Sequence, residues 1–282
     1  MTIPAAPPAS SARRLLEVAL EEDLASAGDV TTDTIFGPAA TTTARIVARE
    51  AGRIAGIRIA TQVFGLLDPQ IDVTILVDDG EDATTGATLA ELAGLTRALL
   101  TGERTCLNLL GHLSGIATAA RNAVALTDGT NARVVDTRKT TPGLRALEKY
   151  AVRCGGASNH RFGLYDAVMI KDNHIAAAGS IAAAVTAVRA ATGHMIKIEV
   201  EVDRLDQIAE TLDAGADVIL LDNMTPAQLT EAVTLIDGAA ITEASGGIST
   251  ATIAAVAASG VDIISMGSLT HSSPRLDVAM DM

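Results

Sequence analysis

The stretch "IKIEVEVDRLDQIAETLDAGADVILLD", residues 196–222, decides the fold. It opens on an alternating run: Ile196, Ile198, Val200 and Val202 take one face of a strand, and Lys197, Glu199 and Glu201 take the other. "RLDQIAETLDAG" then has helical spacing and ends at Gly215, as helices commonly end at glycine. "DVILLD" follows as a near-continuous apolar run, the pattern of a parallel strand covered on both faces. The whole stretch reads as one βαβ unit.

The same rhythm extends in both directions. Downstream come "TPAQLTEAVTLIDG" (225–238), "AITEAS" (240–245), "STATIAAVAASG" (249–260) and "VDIISMG" (261–267); upstream come "ARVVDT" (132–137), "DAVMIK" (166–171) and "SIAAAVTAVRAA" (180–191). Six short strands alternating with Ala-rich helices fit an α/β barrel better than a doubly wound sheet, and being fewer than eight they predict an open, incomplete one. The first part of the chain lacks this alternation. An amphipathic helix over 11–26 precedes the strand candidates "TTTARIVARE" (41–50), "IDVTILV" (71–77) and "GATLAEL" (86–92), which predicts an α+β sandwich domain. Between the two parts, Leu95 to Thr127 is helical by periodicity, with Gly102, Gly111 and Gly115 expected to weaken or break it. The expected division is a flexible tail over 1–10, an N-terminal domain over 11–110 and a barrel over 111–270. A C-terminal segment over 271–282 is expected to pack back on the N-terminal domain.

Composition excludes several classes of function. The 282 residues hold 34 Asp and Glu against 21 Lys and Arg, a formal charge of -13, which argues against nucleic-acid binding and against anionic membrane surfaces. Aromatic residues make up 2% with no Trp, so no base-stacking platform is available. No run reaches the ~18 apolar residues of a membrane span, and the acids after Arg13-Arg14 exclude a signal peptide there. Cys106 and Cys154 form neither a metal-ligand spacing nor a disulfide framework, and read as reduced thiols of a cytoplasmic protein.

In a parallel barrel the chemistry collects at the C-terminal ends of strands. Those ends carry Asp136-Thr137-Arg138-Lys139, then Lys171, Glu201, Asp222-Asn223, Glu243 with Ser245-Gly246-Gly247, and Gly267-Ser268. Between Asp136 and Lys171 lie Arg138, Lys139, Arg145, Lys149, Arg153, Arg161 and Lys171, a third of all the basic residues. A cationic pocket in an anionic protein points to a small polyanion, with arginine supplying the bidentate fork and lysine a point charge. The turns "ASGGI" and "SMGS" let backbone N–H groups approach a phosphate. Glu201 and Asp222 end neighbouring strands, placed to hold a divalent cation or to accept ribose hydroxyls.

"LLTGERTCLNLLGHLSGIAT" (99–118), "DTRKTTPGLRALEKYAVRCGG" (136–156), "NHRFGLYDAVMIKDNHI" (159–175), "EVEV" (199–202), "ILLDNM" (219–224) and "EASGGI" (243–248) together resemble the quinolinate phosphoribosyltransferase family. The resemblance runs from about Asp23 to the C-terminus. It implies an N-terminal sandwich with an open barrel of about seven strands, one more than the residues alone reveal. It also implies a homodimer or larger assembly, Mg²⁺ as cofactor, and quinolinate and 5-phosphoribosyl-1-diphosphate as substrates. Carried over residue by residue, Arg138 and Arg161 contact the quinolinate carboxylates beside His160, and Arg104 reaches into the neighbouring subunit's site. Thr137 presents the cationic pair at the strand end. Lys139 and Lys171 lie between dicarboxylate and diphosphate, and Glu201 and Asp222 bind ribose hydroxyls or the metal, directly or through Mg-diphosphate. Ser245, Gly246, Gly247, Gly267 and Ser268 hold the 5-phosphate. Lys139, Lys171, Glu201 and Asp222 form the catalytic set.

Several residues keep a plainer reading. His112 and His194 read as packing or surface histidines. Arg145, Lys149 and Arg153 recur on one helix face, equally a solvated face or a source of potential for the site. Glu199 has Lys197 as a partner on its own strand, and Glu243 is either an anchor or a second carboxylate in the site. Arg138, Lys139, Arg161 and Lys171 have no acid nearby in sequence to pair with. Three rivals share parts of this pattern: a related barrel associated with molybdenum transport, a Schiff-base aldolase using Lys171 or Lys197, and a non-catalytic phosphosugar-binding scaffold. "NHR" with "TRKT" favours the quinolinate enzyme, and the full set of strand-end charges disfavours a scaffold.

Overall fold

The computed structural model describes residues 4–282, and the chain divides into two compact units, each made of separated segments. The first holds the chain up to Arg121, then Pro142–Gly156 and Ser272–Met282; the second holds Asn122–Thr141 and Ala157–His271. This differs from a boundary at 110/111 in two respects. The helix Thr96–Ala125 runs on without a break, and the helix Arg145–Cys154 belongs to the first unit although its sequence lies among barrel strands.

The first unit is built on a four-stranded antiparallel sheet in the order Val278–Asp281, Thr41–Ala48, Thr88–Leu95, Asp72–Ile75. The strand Val278–Asp281 thus takes one edge, paired to Thr41–Ala48. The helix Ala9–Leu24 starts two residues before the expected boundary and buries Ala12, Leu16 and Leu20; the part of the expected tail at 1–3 lies outside the described residues. The glycines of the long helix do not break it; they let other segments come close. A Cβ on Gly115 would collide with the carbonyl oxygen of Pro274 and lie 3.0 Å from Arg275 Cα, and Leu276 N–H donates to Gly111 O at 2.9 Å. The C-terminal segment is therefore strapped along this helix, and the saved side-chain volume offsets the propensity cost of glycine.

The helix Arg145–Cys154 does not present a solvated basic face. Glu148 and Lys149 are fully buried and only Arg153 of the basic set is exposed. Glu148 Oε1 lies 2.9 Å from His112 Nε2, so that histidine is a packing residue with a buried acid as partner. Tyr150 Oη donates to Asp79 Oδ2 at 2.7 Å, and Asp79 Oδ1 accepts from Ile57 N–H at 2.9 Å. Burial pushes Asp79 above the ordinary carboxylate range despite these bonds. Cys106 and Cys154 are free and buried.

The second unit carries the parallel sheet expected from 196–222. Its order is Arg133–Val135, Ile263–Ser265, Ile241–Ser245, Val218–Asp222, Ile198–Val202, Val168–Ile170. The edge strands do not pair with each other, and Ser158 forms a parallel bridge to Val135 just beyond the first edge. That single bridge is what remains of a seventh strand, too short to read as an apolar run. Ile198, Val200, Val202, Ile219 and Leu221 are at most 1% exposed and form the layer between sheet and helices. Among the described residues no single helix is long and apolar enough to cross a membrane.

Candidate active site

Sheet register collects the polar side chains on one face. Glu201 and Glu243 both lie beside Leu220, Glu199 lies beside Met169, and Ser245 lies beside Asp222. Neighbours in register share a face, so these residues oppose the buried Ile and Val layer. All of them but Glu199, with the loops that follow the strands, build a cavity of 590 Å³. Thr137, Arg138, Lys139, His160, Arg161, Lys171, Glu201, Asp222, Ser245, Gly246 and Gly247 all line it.

Three predicted residues stand apart from that lining. Gly267 is at its margin, where a Cβ would lie 2.9 Å from Lys139 Cδ and 3.2 Å from Thr137 Oγ1. Ser268 begins the short helix Ser268–His271 and does not line the cavity. Arg104 belongs to the first unit, with its side chain 67% exposed and Glu103 at 3.8 Å.

The cationic wall is made by two loops, one after Val135 and one around Arg161. Thr137 Oγ1 accepts from Lys139 N–H at 3.0 Å, and Thr270 Oγ1 donates to Lys139 O at 2.8 Å, which pins the loop from both sides. The helix that follows in sequence starts at Arg145, and Pro142 lies in the turn before it. Arg161 donates to Ala167 O at 3.0 Å. Burial, and then the nearby charge of Arg138, pulls the Arg161 pKa below its usual value. Among the described residues Arg138 Nε is buried with no hydrogen-bond partner. Two guanidiniums that repel each other, one with an unmet buried donor, create a demand for an anion.

The acidic wall differs from the sequence reading in its pairings. Lys171, expected without an acidic partner, forms an ion pair with Glu201. Lys197 is exposed and does not pair with Glu199. Glu199 Oε2 instead lies 3.2 Å from His160 Nε2, and Glu243 Oε1 lies 3.4 Å from the same atom. The ligand atoms of His160, Glu199 and Glu243 fall within 4.8 Å of one another, close enough for a metal ion. The hydrogen bonding argues against a metal at this cluster. Arg161 N–H donates to His160 Nδ1 at 2.7 Å, so the ring proton is on Nε2 and no lone pair faces the carboxylates. Burial works against the imidazolium, but Glu199 and Glu243 outweigh it and hold a proton at this cluster up to about 10. Burial also raises Glu199, with the charge of Glu243 adding to it. A neutral imidazole with one carboxyl protonated has the same proton count, and the Arg161 contact selects that arrangement.

Sequence reasoning placed Asp136 at a strand end without finding that it sets this wall in place. Asp136 is fully buried, accepting from His160 N–H at 2.9 Å and from Asn159 Nδ2 at 2.6 Å. Its only signal in the sequence is an acid at the end of an apolar run, which does not say what it binds. Met169, Leu220, Asn223 and Ser265 also line the cavity; strand alternation was the signal for Leu220, two residues before Asp222.

Residues 29–114 match the quinolinate phosphoribosyl transferase N-terminal domain, and residues 116–281 match the C-terminal domain of the same family. The chain is 48% identical over 270 residues to a probable nicotinate-nucleotide pyrophosphorylase (carboxylating) of Bacillus subtilis, covering 96% of this chain and 93% of that protein. It is 44% identical to the nicotinate-nucleotide pyrophosphorylase (carboxylating) of Mycobacterium leprae, covering 96% and 97%. The crystal structure of NadC from Streptococcus pyogenes superposes with a TM-score of 0.94 at 42% identity, covering 99% of this chain and 98% of that one.

Proposed function

The chain belongs to the quinolinate phosphoribosyltransferase family, and from that premise we propose how its cavity carries out the family's reaction. Quinolinate and 5-phosphoribosyl-1-diphosphate give nicotinate mononucleotide, diphosphate and CO₂, a step of NAD biosynthesis. The observation that carries this reading is the Arg138–Arg161 pair, with a buried unmet donor, opposite Glu201 and Asp222 in one cavity.

A dicarboxylate placed against Arg138 and Arg161 satisfies the unmet donor and cancels the mutual repulsion. Its ring nitrogen attacks C1 of the ribose as the C1–O bond to diphosphate breaks. Positive charge develops on the sugar, and Glu201 and Asp222 are placed to stabilise it, while Lys139 and Lys171 stabilise the departing diphosphate. The bond from C2 to its carboxylate then breaks, CO₂ leaves, and the electron pair is held beside the cationic ring nitrogen until C2 takes up a proton. In the free protein Lys171 and Glu201 neutralise each other. Substrates split that pair, the lysine going to the anion and the glutamate to the ribose. Lys171 is tied up in its pair with Glu201 and Lys197 is exposed, so neither lysine sits in the apolar pocket that activates a Schiff-base nucleophile.

The donor set suits Mg²⁺. Glu201 and Asp222 are hard oxygen ligands, and an ion carried on a diphosphate takes only one or two protein carboxylates. When bound it would neutralise charge on the leaving group. We further place Arg104 in the site of a second copy within a homodimer, supported by its exposure on the long helix and by the family pattern. Two buried free thiols support a reducing, cytoplasmic setting.

The test is direct: the protein is incubated with quinolinate, 5-phosphoribosyl-1-diphosphate and Mg²⁺, with and without a chelator, and nicotinate mononucleotide and CO₂ are measured. Product that depends on both substrates is expected, with turnover severely depressed in Lys139→Ala and Lys171→Ala. Absence of product, or near-normal kcat in both variants, refutes the reading.

A further inference from the structure

Asn223 is one of only three described non-glycine residues with a left-handed backbone, at φ 56°. It follows Asp222 at the end of the strand Val218–Asp222 and lines the cavity. Asparagine tolerates this conformation better than most residues, so the backbone alone would make it an ordinary turn. Its contacts are more specific. Asn223 Nδ2 donates to Asp222 Oδ2 at 2.5 Å, and Asn223 N–H donates to Ser245 O at 2.9 Å on the adjacent strand.

The other side of the same amide rests on Gly246. A Cβ there would collide with Asn223 Oδ1 and lie 2.6 Å from its Cγ and 2.8 Å from its backbone N. Gly246 has φ 94° and Gly247 φ 58°, so the turn has a shape only glycine adopts easily and a surface only glycine leaves open. The amide orientation is set by chemistry as well, because a carboxylate accepts and cannot donate, so Nδ2 must face Asp222.

We infer that Asn223 is a positioning residue that fixes the carboxylate of Asp222 against the Ser245-Gly246-Gly247 turn, so that a pentose 5-phosphate is read as one rigid unit. This rests on the proposed function, in which Asp222 meets the ribose hydroxyls and the turn meets the 5-phosphate. Those two groups sit on neighbouring strands and need a fixed separation to grip both ends of one sugar. Asn223 is the side chain that touches both. The dicarboxylate wall at Arg138 and Arg161 lies on other elements and does not depend on it.

The test uses Asn223→Gly and Asn223→Asp in the full-length protein. Glycine keeps the left-handed backbone at no cost and removes only the amide; aspartate keeps the shape and sets an acceptor against Asp222. Titration calorimetry with ribose 5-phosphate, without added metal ion, is paired with KM for each substrate and a thermal melt. A hydrogen bond to a charged group is worth about tenfold or more in affinity. Asn223→Gly should therefore weaken ribose 5-phosphate by about tenfold and raise KM for 5-phosphoribosyl-1-diphosphate similarly, with KM for quinolinate and Tm held. Asn223→Asp should weaken it further. If wild-type turnover is normal and Asn223→Gly binds ribose 5-phosphate unchanged, or raises both KM values equally, the inference falls alone. A wild-type protein that makes no product removes the functional reading and this inference with it.

Discussion

Replacing Arg138 by methionine should separate stability from function in opposite directions. Methionine matches much of the arginine stem and removes the guanidinium. In the free protein the buried Nε has no hydrogen-bond partner, and an unmet buried polar group costs about 1–3 kcal/mol. Arg161 is depressed by burial first and by the charge of Arg138 second, and removing the guanidinium relieves the second. Arg138→Met should therefore hold or raise the melting temperature, by about 2–4 °C for each kcal/mol regained in a chain of this size. Binding should suffer in the other direction. Truncating one partner of a buried charged pair costs about 2–5 kcal/mol, so KM for quinolinate should rise roughly 30-fold to several thousandfold. Thermal melts and steady-state kinetics with quinolinate varied at saturating 5-phosphoribosyl-1-diphosphate read both quantities. A variant that loses stability while keeping its quinolinate KM would refute the reasoning, because Arg138 would then be a structural residue.

Gly246→Ala should abolish tight binding of ribose 5-phosphate and cost about 1–3 kcal/mol of stability, since its methyl meets Asn223 at a strained φ; unchanged calorimetric affinity would contradict this. Stability should fall as pH rises on the alkaline side. His160, Glu199 and Glu243 hold one proton between them more tightly in the folded protein, so it contributes stability that is full at low pH and lost as pH climbs through its folded value, and the raised Asp79 adds a loss that begins at acid pH. For this cluster the loss is complete at about 10. Urea midpoints should fall between pH 7 and 10, and Glu243→Gln should flatten the fall; a flat wild-type profile speaks against the cluster. Gly115→Val should free the C-terminal segment by overpacking against Pro274, costing about 1–3 kcal/mol and raising hydrogen exchange over 278–281; full protection there would count against the strap.

The parts of this protein that follow from periodicity were open to reading in advance. The alternation of Lys197, Glu199 and Glu201 against Ile198, Val200 and Val202 sets the inward face of a strand, and the βα spacing sets the parallel sheet. Pairings between distant segments were not open in the same way. Nothing in the spacing of Lys171 and Glu201 says that they pair, since they end separate strands that only the sheet order brings side by side. His160 could not be matched to Glu199 and Glu243 for the same reason, and Asp136, which positions His160, resembles any acid at a strand end. The helix Arg145–Cys154 departs from its pattern, since a basic repeat suggests solvent while Lys149 and Glu148 are buried together in the first unit. Glycines in the long helix look like breaks until a segment 160 residues later, around Pro274 and Leu276, supplies the close neighbour.

The strand Val278–Asp281 has a consequence for how the chain is made. It closes the edge of a sheet whose other strands come from the first hundred residues. During synthesis the first unit therefore emerges early but is completed last, after the whole parallel sheet has left the ribosome. Until then Thr41–Ala48 presents an open edge, the kind of surface that invites pairing with another chain. A stop codon before Val278 would leave the cavity's own sequence intact and still yield a protein prone to aggregate. Residues 278–281 act less as an appendage than as the step that completes the sheet.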